Sequence, residues 1–595
     1  MTRTALAAAV CGLAALIVAG PAVAGDTLVS VGSPTTPFSQ NKQNEPALAV
    51  DQSQPSVLVQ GANDNVDLEA CNAGDDTTCP FTPGVGTSGL SFSFDSGSSW
   101  TQPAYSGFSA GTCTGVVGPD DPPCNPLTPD HGGMIHTLPW YYEQGLVSDG
   151  DPAVAFGPAP GSNGHFSWEN GSRLYYSNLS ANFASKRNDF AVKGVEAISV
   201  SRTDDVAAAA AGGVNGKAAW MPPVAIASTS AAAFADKDQI WADNAASSAH
   251  FGNVYVCYGD FRGGPSVSSN AHDLLLARST DGGDNWSHVQ LAAIPGSSGG
   301  KWALLSGKSG CTVRTASDGT VYVFWLGWNQ QLKQNGIYMA KSSDGGATFT
   351  VPRRIFQVFA TGTLDPVQGR NVMDGIAGAR DDLSDAPSID IANNAPDGGP
   401  DATNQIVLTW ADGRDGLNHE HVFFSTSTDG GDNWSDPVAQ ESAGDRGIYT
   451  ATAISPDGHD VYLVYNAFTT LYRDNTTDPR TLVGVVKHAG VAGDGTVGAF
   501  SELNRGESGD VRAASSNDLT SEFLGDYVYA VATNDYGAAV WNDARNAEDC
   551  PAMDAYRAFL EGGPEAPVPA PQQDCPAGFG NIDIYGGAWP DPTSP

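Results

Sequence analysis

Five runs in this chain open on a carboxylate and continue into an apolar, strand-like stretch. They are NEPALAV with Glu45, GDPAVAF with Asp151, DKDQIWA with Asp236 and Asp238, SDAPSID with Asp385, and LGDYVYA with Asp526 and Tyr527. Carboxylates crowded together repel one another, so some of their pKa values rise, and a raised carboxyl is what a general acid for glycosidic cleavage needs. Asp151, Asp238 and Asp526 are the candidate acid and base, with Glu45 and Asp385 beside them to contact substrate. Two other readings stay open. Asp or Glu at such a turn can simply cap it, and a ring of carboxylates can hold Ca²⁺ or Mg²⁺.

A second pattern ends three strand-like runs: Tyr258-Gly259-Asp260-Phe261-Arg262, Trp410-Ala411-Asp412-Gly413-Arg414 and Trp541-Asn542-Asp543-Ala544-Arg545. A D-x-R turn can close on itself as an ion pair. Alternatively, Arg262, Arg414 and Arg545 can present planar guanidinium forks to an anionic substrate.

These residues need a scaffold, and a repeated turn identifies it. STDGGDNW occurs at Ser279–Trp286 and again, unchanged, at Ser427–Trp434. Relaxed to S-x-D-x-G-x-x-aromatic, it recurs at Ser93–Trp100 and Ser342–Phe349, and Thr203-Asp204-Asp205 is a candidate degenerate copy. Each good copy follows a strand-like run (LSFSF, DLLLARS, GIYMAKS, HVFFSTS). The residues suit a hairpin: Asp accepts backbone N–H bonds, Gly takes positive φ, and the aromatic covers the turn. The structural residues are therefore Asp95, Asp281, Asp344 and Asp429 with Trp100, Trp286, Phe349 and Trp434. This motif resembles the Asp box of the sialidase-like propellers built from bacterial neuraminidase repeats.

The resemblance implies an all-β fold, a single propeller of four-stranded blades. Seven strand starts can be counted: the five above with SGCTVRT and YTATAIS, so seven blades are expected where sialidases proper have six. TLVSVG, at Thr27–Gly32, is expected to complete the last blade and close the ring. The resemblance also implies that strand starts and second-to-third loops share one face, opposite the Asp boxes. It further suggests a Tyr nucleophile, for which Tyr527 and Tyr449 are candidates. The family's opening arginine motif, R-I-P, is absent, since NEPALAV stands there and no arginine lies between Arg3 and Arg173. No sialidase residue is transferred on that basis.

Other features bound the function. Residues 1–24 have a basic start, an apolar core and Ala22-Val23-Ala24, the pattern of a cleaved secretory signal, so an extracellular protein is expected. The propeller would span 25–589, with loop insertions near 101–149 and 551–580 and a disordered tail at 590–595. A net charge of −37 excludes nucleic acid and anionic lipid as partners, and no later stretch reaches the roughly 18 apolar residues of a spanning helix. A monomer is expected. Eight cysteines remain after the signal: Cys71/Cys79, Cys113/Cys124 and Cys550/Cys575 are spaced as local staples, and Cys257/Cys311 form either a long-range bridge or two buried thiols.

His131 and His136 are poorly spaced for a metal, and His419-Glu420-His421 lacks the helix of a zinc-protease site. Trp140, Tyr141 and Tyr142 can make a sugar platform or pack down their own insertion. No P-loop, dinucleotide fingerprint or G-x-S-x-G is present. The leading expectation is a secreted glycoside hydrolase acting on exo-glycosidic bonds of an acidic glycan or glycoconjugate, with no required cofactor and a possible bound Ca²⁺. The alternative is a non-catalytic carbohydrate- or protein-binding propeller at the cell surface.

Overall fold

The fold is given by a computed structural model that describes residues 25–73, 79, 82–114, 133–182, 196–227, 233–262, 272–293 and 305–592. The signal-peptide expectation, Cys124, His131 and the end of the tail lie outside the described residues.

Seven antiparallel sheets follow one another along the chain and form a propeller. Their innermost strands are Gln43–Val50, Ala153–Pro160, Ala233–Ala242, Leu305–Thr315, Ser388–Ile391, Arg446–Ile454 and Tyr529–Ala532. In the seventh blade Thr27–Leu28 pairs with Asp583–Pro590, Leu28 opposite Tyr585, so the N-terminal segment supplies the outer strand and closes the ring as expected.

The second strands are buried on both faces, which explains their unbroken apolar character: Val321–Asn329 reads VYVFWLGWN. Trp325, Trp410 and Trp541, all on second strands, are fully buried between neighbouring blades. Large rings meet small residues across those interfaces. A Cβ on Gly484 would lie 2.3 Å from the Trp541 ring.

The four Ser-x-Asp-x-Gly turns follow third strands, lead in three of the blades into a fourth, and share one hydrogen-bond pattern. In each, the Ser hydroxyl donates to the Asp and accepts from the Gly N–H, and the Asp accepts a backbone N–H four residues on, all at 2.8–2.9 Å. Gly97, Gly283, Gly346 and Gly431 have φ between 79° and 92°, where a side chain would be strained. Trp286 and Trp434 donate their indole N–H back to Gly283 and Gly431. In the second blade the same connection is instead a pair of short helices, Val206–Ala211 and Gly213–Ala219, capped by Asp205.

By strand order these turns lie on the underside, and the innermost-strand starts lie with the D-x-R corners on the mouth face. The insertion before the second blade packs against it. Trp140 donates to the carbonyls of Lys217 and Trp220, and Tyr141 is buried against Asn178. Tyr142 packs on Phe108 with ring centres 4.6 Å apart. This aromatic cluster holds the insertion down and offers no sugar platform. Cys71–Cys79, Cys257–Cys311 and Cys550–Cys575 are disulfides; the second joins the third and fourth blades.

The turn carboxylates sit below the usual aspartate range, Asp344 and Asp429 at about 2, through side-chain and backbone bonds from Thr348 and backbone and side-chain bonds from Asn433 respectively. A depressed folded-state pKa contributes stability above the unfolded value of about 3.9 that is lost as pH falls through the folded value. Asp344→Asn and Asp429→Asn should therefore lower the melting temperature at pH 7, and the gap to the native protein should close between about pH 4 and pH 2 in a thermal-melt series.

Candidate functional site

The mouth is built by a backbone device repeated around the ring. Glu45, Asp151, Lys237, Gly310 and Tyr449, one within or just before each of five innermost strands, have φ between 47° and 60°. In the first, third, fourth and sixth blades the pairing register shifts at this level, marking a bulge. A left-handed residue at a bulge turns the following side chains out of simple alternation and aims its own toward the axis. Gly525, just before Asp526, also has positive φ.

Side chains from the first, second, third and seventh blades meet here. The ammonium of Lys237 lies 2.7 Å from Asp526 and 3.3 Å from Asp151. Arg380 is 2.9 Å from Asp526 and 3.3 Å from Glu45. Asn63 donates to Glu45 at 2.7 Å, and its carbonyl oxygen accepts the Asp151 N–H. The Tyr527 hydroxyl donates to Asp151 at 2.9 Å. Glu45 and Asp236 each share a hydrogen bond with Asp151.

The electrostatics split these acids. Burial and then the charge of Asp151 push Glu45 well above the usual range. Burial raises Asp236 to about 7, against the pull of Lys237. Burial also opposes ionisation of Asp151 and Asp526, but the neighbouring cations prevail: Lys237 for Asp151, Arg380 and then Lys237 for Asp526, and both are held below the usual range. Burial and the Asp151 carboxylate keep the Tyr527 phenol neutral. One set of carboxyls thus contains protonated, ionised and half-titrated members, which is what proton transfer near neutral pH uses.

Glu45, Asp151, Asp526 and Tyr527 therefore do come together. Asp238 does not join them. The bulge sets Lys237 and Asp238 opposite Tyr258 together, and Asp238 turns into the interface with the second blade, where it accepts the Ser177 hydroxyl and is 1% exposed. Its neighbour Asp236 stands at the mouth in its place. Asp385 pairs with Lys308 at 3.7 Å, away from the cluster. Tyr449 is buried and donates to the Arg380 carbonyl, holding that residue rather than acting as a nucleophile.

Two of the arginines expected to grip substrate, Arg414 and Arg545, are held in ion pairs with their own corners. Arg414 is bidentate on Asp412 at 2.9 and 3.0 Å and stacks on Phe423. Arg545 is bidentate on Asp543 at 2.9 and 2.7 Å, reaches Asp26, and stacks on Tyr585. The same aspartates accept the indole N–H of Trp410 and Trp541 two residues earlier, so each corner is a closed Trp–Asp–Arg lock. The Arg262 side chain lies outside the described residues. The cations at the mouth are Lys237 and Arg380 instead. Arg380 comes from the connection between the fourth and fifth blades, which carries no repeat signal.

No group of three metal-ligating side chains converges at the mouth among the described residues, since Lys237 and Arg380 occupy the carboxylates. Below it, a cavity of about 60 Å³ is lined by Lys237, Arg314, Tyr449, Asp526, Tyr527 and Tyr529. Arg314 lies 3.3 Å from Asp390 and 4.4 Å over Trp241, and separates this cavity from a second of about 50 Å³ deeper along the axis. His136 is bound to Asp67, Glu420 is bidentate on Arg446, and His421 contacts Asp415 and Glu441.

Comparison with solved structures finds distant similarities. The leech intramolecular trans-sialidase is 13% identical with a TM-score of 0.40, over 74% of this chain and 67% of that one. A Hadza microbial sialidase is 14% identical with a TM-score of 0.34, over 66% of this chain and 62% of its own length. The likeness extends to an α-L-arabinofuranosidase of Fusarium graminearum, 11% identical with a TM-score of 0.29, over 60% of this chain and 93% of that one. No family model and no curated protein matches the chain.

Removing Arg380 would strand buried carboxylates. Arg380→Met should cost about 3–5 kcal/mol in denaturant unfolding at pH 7, with the loss shrinking at acid pH as Asp526 protonates.

Proposed function

We propose that the mouth is a hydrolytic site for a glycan, with Asp236 as the proton donor. The observation that supports this is a partly exposed carboxyl at about 7, hydrogen-bonded to an ionised Asp151 that also accepts the Tyr527 hydroxyl at 2.9 Å. A carboxyl tuned to neutrality can protonate a leaving glycosidic oxygen and take the proton back from water.

Asp236 and Asp151 are hydrogen-bonded, closer than the roughly 5–9.5 Å between paired glycosidase carboxylates. They act as one acid, so the group that meets the sugar carbon has to be different. Tyr527 and Asp151 have the nucleophile-and-base geometry. In the step, the glycosidic C–O bond breaks as Asp236 protonates the departing oxygen; the Tyr527 oxygen bonds the sugar carbon and its proton passes to Asp151. The phenol is neutral in the resting protein, and the positive charge developing on the sugar ring supplies the field that favours its ionisation. An acidic sugar would meet Arg380 and Lys237, in place of Arg262, Arg414 and Arg545. The disulfides among the described residues fit an exported protein.

One observation favours a second reading, a non-catalytic glycan- or protein-binding propeller. Both cations at the mouth are already paired, and the cavity beneath is only about 60 Å³. A panel of fluorogenic glycosides, sialosides included, separates the two. Asp236→Asn should lower kcat by about 100-fold or more and remove the limb of the pH profile near 7, with melting unchanged. Unaltered kcat in that variant overturns the assignment of Asp236, and glycan binding with no turnover on any substrate leaves the binding reading.

A further inference from the structure

A second cluster of chemistry-bearing side chains lies on the opposite face, where the sixth blade meets the seventh. Asp460 begins the strand Asp460–Phe468, and His488 lies near the end of the neighbouring strand Thr481–Gly490. Asp591 follows the strand Asp583–Pro590 of the last blade, with its N–H on the Asp535 carbonyl. One ligand atom from each of the three lies within 4.8 Å of the others, and His488 Nε2 is 2.7 Å from Asp460 Oδ1.

The register explains the convergence. Tyr462 stands opposite His488, so Asp460, Tyr462 and His488 share the sheet face turned toward the seventh blade. The Tyr462 ring packs on Gly537 of that blade. Its hydroxyl belongs to a residue 1% exposed and has no hydrogen-bond partner among the described residues. After burial, the carboxylates that bear on it most are those of Asp460 and Asp591. A buried hydroxyl without a partner, beside one imidazole and two carboxylates, is an unmet polar demand at a place that a cation with bound water would satisfy.

We propose that Asp460, His488 and Asp591 form a binding site for a first-row divalent metal ion, Zn²⁺ or Mn²⁺, with Tyr462 facing its bound water. The ligand set decides the class. Ca²⁺ takes six to eight oxygens, whereas one imidazole nitrogen with two carboxylates suits borderline ions at about 2.0–2.2 Å. The two asparates belong to different blades, so the ion would tie the last blade to the sixth. Asp591 is partly exposed, which provides the path in.

The test uses untagged full-length protein dialysed against a chelator, then titrated calorimetrically with ZnCl₂, MnCl₂ and CaCl₂. One Zn²⁺ or Mn²⁺ per chain is expected, with Ca²⁺ at least about tenfold weaker. Asp591→Asn should weaken binding by about tenfold or more while melting like the native protein in chelator. His459→Ala, which removes an exposed neighbouring imidazole, should bind as the native protein does. Equal binding by Asp591→Asn, loss of binding in His459→Ala, or preference for Ca²⁺ would each overturn the assignment, as would the absence of stoichiometric binding.

Discussion

Crowding carboxylates around an axis is tolerable only if cations are delivered among them. Here Lys237 and Arg380 do that work, contacting Asp151, Asp526 and Glu45 from two directions. Like charges at such distances in a poorly solvated space repel by several kcal/mol, enough to force protonation or to splay the strands. The mouth resolves this unevenly: Asp151 and Asp526 keep their charge, Glu45 gives it up, and Asp236 is left near its midpoint. The useful spread of proton affinities follows from having fewer cations than acids.

That arrangement explains which parts were readable from residues alone. The Ser-x-Asp-x-Gly turns were legible because their bonds run between fixed offsets, so chemistry and spacing determine each other. The ring closure through Thr27–Leu28 was legible by counting strands in the last blade. The strand starts carrying Glu45, Asp151 and Asp526 were legible as acids before apolar runs. The choice between Asp236 and Asp238 was not. Alternation along a strand predicts one face for both, and a left-handed Lys237 at a bulge breaks that alternation. Arg380 had no signal at all, since it sits in an unrepeated connection and matters only through contacts distant in sequence. For the D-x-R corners, the tryptophan two residues before Asp412 and Asp543 was the overlooked sign. An aspartate that already receives an indole N–H and a guanidinium is a lock, and it holds its arginine at the corner.

The charge of the whole chain and the charge of the mouth also differ. The chain carries −37, yet the mouth is close to balanced, with acids protonated or paired. Arg314 lines both cavities along the axis and is paired with Asp390.

The pairing of Leu28 with Tyr585 has a kinetic meaning. More than 500 residues separate Leu28 from Tyr585, so the seventh sheet cannot be completed until Tyr585 has been made. Until then six sheets stand as an open crescent with apolar flanks bare at both ends. Pairing of Thr27–Leu28 with the strand Asp583–Pro590 is what turns a stack of neighbouring sheets into a ring.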